Sequence, residues 1–284
     1  MKYNNESIKI LSPAKVNLFL KVVSRRDDGY HNIVSIVDLI TLYDKITIKS
    51  LPYEKIIVED DKSILPKDNS NTIYRAAKML KERYGIKKGA FIFVEKNIPI
   101  GSGLGGPSSN AVSTIKGLVD LWNINVDGEG LFELVKKIGA DCPLFLYGKP
   151  CKMEGIGDII TPVEIPKLIY VIVYPKKVLS TKDVYNKVKI VLTKNKNDIK
   201  LNEKFKTTED VIKILHNDLE KAAIDMFPEL KSIKEVLIRE GAMGSVMSGS
   251  GSSVFGIFED MEKAKRAMKN LDNLGSIFFA TSLI

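Results

Sequence analysis

The chain has 284 residues, 44 % of them hydrophobic and 27 % charged, with a net charge of +8 at pH 7. That length supports one large or two ordinary domains with a substantial core, and the composition excludes a disordered or fibrous chain. No apolar run approaches the ~18 residues of a membrane span, and His31 and His216, the only histidines, exclude a His-rich metal site.

The opening stretch MKYNNESIKI lacks the apolar core of a signal peptide, and Cys142 and Cys151 form no C-x-x-C. Together these point to a reducing cytoplasm. The charge permits nucleic-acid, membrane-surface or anionic small-molecule binding, but the lysines are scattered with no arginine-rich arm, so a solvated, lysine-rich surface is the default reading and attraction of anionic substrates the more specific one.

In chain order, Ile8–Leu11 reads as a short strand and Lys15–Val23 as a longer one. Val16, Leu18, Leu20 and Val22 alternate with Lys15, Asn17, Phe19 and Lys21, so Lys15 and Asn17 share the face opposite the aliphatic residues. That polar pair is either an exposed strand edge or part of a site. Asp28-Gly29 signals a turn, followed by Tyr30 and His31. This Tyr-His pair either stacks on a planar base or simply ends a hairpin. Ile33–Leu42 and Lys45–Ser50 read as further strands. Asn71–Tyr84 reads as a helix stopped by Gly85.

The apolar run Phe91-Ile92-Phe93-Val94 leads into PIGSGLGGPSSN, Pro99 to Asn110, and then into a helix over Ala111–Trp122. Strand, glycine-rich loop and helix start form the layout of a phosphate cradle, where backbone N–H groups face an anion. Gly101, Gly103 and Gly106 satisfy G-x-G-x-x-G, but the acidic residue that pattern needs at the end of a following strand is missing. A P-loop fits by spacing except that Pro107 stands where its lysine belongs, so phosphate charge must be met from elsewhere in the chain. A glycine-rich turn without a ligand is the third reading.

Leu131–Ile138 is another helix, and Asp141 follows it, two residues ahead of Pro143. Asp141 is either a helix-capping residue or an acceptor for a substrate hydroxyl proton. Beyond residue 160 the chain reads as strand Leu168–Tyr174, strand or helix Val184–Leu192, and a polar connector or lid edge Thr193–Thr208. There follow a helical stretch from His216, helix Glu229–Glu240, a Gly/Ser loop Met247–Ser253, strand Val254–Phe258, helix Glu262–Asn270 and strand Ile277–Leu283. Two α+β domains with a boundary near residue 160 are expected, 1–160 and 161–284.

Three motifs thus stand in fixed order: Pro13-Ala14-Lys15-Val16-Asn17-Leu18, then PIGSGLGGPSS, then Gly249-Ser250-Gly251-Ser252. The chain resembles the GHMP kinase superfamily, whose nucleotide loop P-x-x-x-G-L-G/S-G/A-x-S-S is matched from Pro99 to Ser109, with Pro107 replacing the usual small residue. A finer likeness rests on SPAKVNLFLKV, Arg26-Asp27-Asp28-Gly29-Tyr30-His31, Gly139-Ala140-Asp141-Cys142-Pro143 and Asn217-Asp218-Leu219-Glu220. It is to the superfamily's kinases of cytidine-diphosphate-linked sugar alcohols in non-mevalonate isoprenoid synthesis.

The resemblance implies an α+β fold with a ribosomal-S5-like N-terminal domain and a ferredoxin-like C-terminal one, and ATP and substrate in the cleft between them. It implies ATP with Mg²⁺ as cofactor and no metal motif in the protein. Lys15 and Asp141 become the catalytic pair. Pro99, Ile100, Gly101, Ser102, Gly103, Leu104, Gly105, Gly106, Pro107, Ser108 and Ser109 become the ATP loop, with Asn71 and Lys96 on the adenosine side. Asn17, Tyr30, His31, Tyr185, Gly249 and Ser250 become substrate contacts. The partners implied are ATP and the cytidyl sugar alcohol, with no nucleic acid and no membrane, in a monomer or weak homodimer. A superfamily kinase of a smaller alcohol, such as homoserine or mevalonate, is the alternative, and a nucleic-acid-binding protein is the alternative from another class.

Overall fold

The computed structural model describes residues 7–188 and 201–283. It forms two compact units that take alternating segments of the chain. The first holds Met1–Ala14, Tyr43–Ile98 and Gly105–Tyr147; the second holds Lys15–Leu42, Pro99–Leu104 and Gly148–Ile284. Lys15–Leu42 and Pro99–Leu104 therefore precede residue 160 yet pack with the C-terminal portion. The reason is strand length. The short and the longer strand expected at the N-terminus are one, β1 (Ser7–Arg25), which runs through Pro13, and the next pair is also one, β2 (His31–Leu51).

In the first unit β2 pairs antiparallel with β4 (Gly89–Glu95), placing Ile46 opposite Val94 and Ile48 opposite Ile92. The strand β3 (Ile56–Asp60), which the sequence pattern had not marked, runs parallel to β4. Helix α1 (Thr72–Tyr84) starts where the Asn71 side chain accepts from the Ile73 N–H and ends at Gly85, whose φ of 64° suits glycine. Helix α2 (Gly106–Leu121) packs against α1 and carries Gly117 at its sheet contact. A Cβ there would collide with the Cδ1 atoms of Ile10 and Ile48, so glycine permits the close approach. Helix α3 (Gly128–Lys136), capped by Asp127, and the short α4 (Cys142–Tyr147) complete the unit.

In the second unit β2 pairs antiparallel with β5 (Cys151–Gly155), which continues into β6 (Ile159–Pro162). A separate antiparallel sheet is built from β7 (Ile169–Tyr174), β9 (Gly244–Met247), β10 (Val254–Phe258) and β11 (Ser276–Thr281) in the order β11-β7-β10-β9. Helix α8 (Glu229–Arg239) precedes β9 and α9 (Met261–Lys269) joins β10 to β11, and both pack on this sheet. Strand order and connections are those of the split β-α-β, ferredoxin-like arrangement that was expected. Its core gathers Val171, Val173, Leu230, Leu237, Val254 and Phe258.

Val184, left open between strand and helix, lies in helix α5 (Thr181–Lys187), capped by Ser180. The end of that stretch and residues 193–200 of the expected connector lie outside the described residues. The rest of the connector is anchored. Phe205 is buried, and its N–H donates to the Glu164 carbonyl at 2.8 Å. Two short helices, α6 (Thr208–Ile212) and α7 (Leu219–Met226), flank the two-residue strand β8 (His216–Asn217), which runs parallel to β1 at Phe19 and Leu20.

One buried carboxyl in the second unit gives its stability a pH dependence. Asp38 on β2 accepts from the hydroxyls of Tyr170 at 2.7 Å and Ser282 at 2.6 Å. Burial pushes its pKa up to about 7 against the pull of those two donors. The folded state thus holds a proton that the unfolded chain releases near pH 4, so stability is greatest in acid and falls as pH rises toward neutrality. Between pH 5 and pH 8 the loss from this group is on the order of a few kcal/mol. Urea unfolding of Asp38→Asn is expected to lack that loss, and an unchanged slope in the variant would remove Asp38 as its source.

Candidate active site

Each unit carries part of the predicted constellation. In the second, Lys15 and Asn17 are not a solvated strand edge: each is only 4 % exposed. The Lys15 ammonium donates to Asn17 Oδ1 at 2.6 Å, and Asn17 Nδ2 donates to the Ser35 hydroxyl at 2.9 Å.

The two glycine-rich loops meet beside this pair. The Ser248 hydroxyl donates to the Gly103 carbonyl at 3.1 Å, and the Ser253 N–H donates to the Ser102 carbonyl at 3.0 Å. Gly249, at a φ of 55°, is so close that an added Cβ would lie 3.2 Å from both Lys15 Nζ and the Gly103 carbonyl. Gly101 backs onto Val178, and Tyr174 donates its hydroxyl to the Ile100 carbonyl at 3.1 Å. Ser250 shares a hydrogen bond of 2.9 Å with Thr181.

The Asn217-Asp218-Leu219-Glu220 motif, whose task the sequence did not disclose, frames the Gly/Ser loop. Asn217 Nδ2 donates to the carbonyls of Met247 at 2.7 Å and Gly249 at 2.8 Å, and Glu220 accepts from the Met247 N–H at 2.9 Å. Asp218 accepts from the Val22 N–H at 2.8 Å, tying the motif to β1. Only the run of polar residues ahead of a helix hinted at this in the sequence.

Tyr30 lies 59 % exposed after the turn at Asp28-Gly29, its N–H donating to the Asp28 carboxylate at 3.1 Å. The His31 and Tyr185 rings lie against each other, centroids 5.1 Å apart and planes inclined by 31°. Burial and the nearby Arg25 charge lower the His31 pKa, so its imidazole is neutral at pH 7 and can both donate and accept. A neutral imidazole lying against a phenol ring suits a planar base with a polar edge.

In the first unit, helix α2 begins at Gly105, at a φ of 74°, with Pro107 in the first turn. Ser109 is fully buried and its hydroxyl shares a hydrogen bond of 2.7 Å with Ser12, so that side chain braces the helix from beneath. Asn71, expected on the adenosine side, is the buried cap of α1, and its Nδ2 donates to the Pro66 carbonyl at 2.8 Å. Lys96 is buried in an ion pair with Asp44. Asp141 stands half-buried immediately before α4 and next to Cys142, whose thiol burial pushes up to about 12, with the Asp141 charge adding to the rise. That thiol stays protonated and is no nucleophile.

The family described as GHMP kinases N terminal domain matches residues 71–149, and that described as GHMP kinases C terminal matches residues 200–276. A 4-diphosphocytidyl-2-C-methyl-D-erythritol kinase of Syntrophotalea carbinolica is 39 % identical over 264 residues, covering 93 % of this chain and 94 % of its own. One of Clostridium botulinum is 39 % identical over 275 residues, covering 95 % and 98 %. A crystal structure of 4-(cytidine 5'-diphospho)-2C-methyl-D-erythritol kinase superposes with a TM-score of 0.80 at 32 % identity, covering 96 % of this chain and 98 % of that one. Homoserine kinase from Cytophaga hutchinsonii shares the fold, with a TM-score of 0.76 at 21 % identity over 100 % of this chain and 96 % of that one.

Proposed function

The chain belongs to the GHMP kinases, among those named 4-diphosphocytidyl-2-C-methyl-D-erythritol kinase, and from that premise we propose the reaction it performs. It transfers the γ-phosphoryl group of ATP to the 2-hydroxyl of 4-diphosphocytidyl-2-C-methyl-D-erythritol, a step of non-mevalonate isoprenoid precursor synthesis. Asp141 takes the hydroxyl proton as that oxygen attacks the γ-phosphorus and ADP departs. Lys15 offsets charge on the transferring group, so catalysis is positioning plus electrostatics.

The glycine-rich loop from Pro99 to Ser109 binds the ATP phosphates through its backbone, with Asn71 and Lys96 shaping the adenosine side. Asn17, Gly249 and Ser250 act on the acceptor, and Tyr30, His31 and Tyr185 take the cytosine. A division of the sequence into 1–160 and 161–284 is supported by the family matches, which fall one in each part, at residues 71–149 and 200–276. Mg²⁺ would enter with ATP as part of the substrate and would offset phosphate charge there, which calls for few protein ligands. The protein works in the cytoplasm, as a monomer or weak homodimer without nucleic acid. Among the described residues no helix is long and apolar enough to cross a membrane.

The observation that supports the cytidyl substrate is the contact of the His31 and Tyr185 rings, with exposed Tyr30 next to His31 in the chain, which a small-alcohol kinase would leave without a base to bind. The test is an ADP-release assay with Mg–ATP and three acceptors: the cytidyl sugar alcohol, homoserine and mevalonate. Turnover on the cytidyl compound alone is expected. Turnover on a small alcohol instead would keep the kinase and discard the base site, and folded protein silent on all three would overturn the reading.

A further inference from the structure

Asp44 lies on β2 and is fully buried, and none of the sequence motifs includes it. Both of its carboxylate oxygens are in use. Oδ1 accepts from the backbone N–H groups of Asn97 at 2.7 Å and Ile98 at 2.8 Å. Oδ2 accepts from Asn110 Nδ2 at 2.9 Å and from the Lys96 ammonium. Lys96, Asn97 and Ile98 are the last residues before the glycine-rich loop, and Asn110 stands on α2 just after it. The Ser12 hydroxyl extends the network, donating to Asn110 Oδ1 at 2.8 Å and sharing a bond with Ser109.

A carboxylate present only to neutralise buried Lys96 would need one oxygen. Asp44 instead ties the strand end before the loop to the helix after it, through charge-assisted hydrogen bonds of the stronger class. We propose that Asp44 is a positioning residue for nucleotide binding: it fixes both flanks of the Pro99–Ser109 loop so that the loop's N–H groups are set before ATP arrives. The inference rests on the reading of that loop as the ATP site. A loop with unpinned flanks must be ordered during binding, and that cost weakens the complex.

The experiment uses full-length protein and two variants. Asp44→Asn removes the charge, and Asn110→Ala cuts the tie to α2, together with the Ser12 bond to Asn110, while leaving the Asp44–Lys96 pair buried and intact, so it is the milder change. A non-hydrolysable Mg–ATP analogue is titrated calorimetrically without acceptor, and KM for ATP and for the acceptor are measured separately. The analogue's Kd and the ATP KM are expected to rise about tenfold for Asn110→Ala and more for Asp44→Asn, with kcat at saturating ATP and the acceptor KM within twofold of wild type. Unchanged nucleotide affinity in folded Asn110→Ala would overturn the proposal. So would kcat and both KM values worsening together, which marks a merely structural role. Failure of the wild type itself to bind the analogue would instead overturn the ATP reading of the loop.

Discussion

Asp141→Asn is expected to lower kcat by about a thousandfold while leaving the thermal midpoint and the affinity for an ATP analogue near wild type. The asparagine fills the same volume and keeps a carbonyl acceptor toward the substrate hydroxyl, but it cannot take the proton that must leave as the oxygen attacks phosphorus. Positioned general bases contribute about 10²–10⁴ in rate, so a fall of that size with binding preserved is the signature of a lost proton acceptor. If Asp141 served only as the residue ahead of α4, Asp141→Asn would hold its place and turnover would scarcely change. Turnover within tenfold of wild type, in protein that still melts and binds nucleotide normally, would take Asp141 out of the proton's path.

Gly103→Ala has the second largest expected effect, and here one methyl group is the whole perturbation. Gly103 has a φ of 78°, where an L side chain costs roughly 1–2 kcal/mol before any contact is considered. The added Cβ would also overlap the Ser248 carbonyl oxygen and approach Gly251 N to 3.1 Å. These are backbone atoms, so no rotamer relieves the clash, and the Gly/Ser loop beside Lys15 must move. We expect a drop in the melting midpoint of several degrees and a loss of kcat/KM on the order of a hundredfold. Gly29→Ala is the control: its φ of 84° carries the same conformational cost, but nothing lies within 4 Å of the new methyl. Equal activity in the two variants would refute the view that the contact between the loops matters.

Local patterns were readable wherever neighbours in the chain are neighbours in space. Asn71 and Gly85 bracket α1 as expected, and alternation along β1 correctly placed Lys15 and Asn17 on one face. Alternation could not say that this face is buried, because what covers it comes from Ser35, Ser248 and Gly249. The hairpin of β5 and β6 was missed because strands of five and four residues with lysine, glutamate and glycine among them carry little periodic signal. Pro13 suggested a break that β1 does not make.

Asp38 and Asp44 were invisible for a different reason. Asp44 meets Lys96 and Asn110 across 52 and 66 residues, and Asp38 meets Tyr170 and Ser282 across 132 and 244. No spacing rule connects such partners. The family motifs identified the loops, and only the folded chain disclosed what braces them.

The crowding of Gly103, Gly249 and Gly251 also bears on inhibitor resistance. Every amino-acid-changing point mutation of a glycine codon introduces at least a Cβ, and at these positions that atom meets the other loop, the Lys15 ammonium or the Met247 sulfur. A small molecule that takes its affinity from the main-chain atoms of these glycines would therefore face a surface the organism can alter only by disturbing the two loops themselves. Compounds that lean on exposed Tyr30 would have no such protection, since an exposed side chain can be exchanged at little cost to the fold.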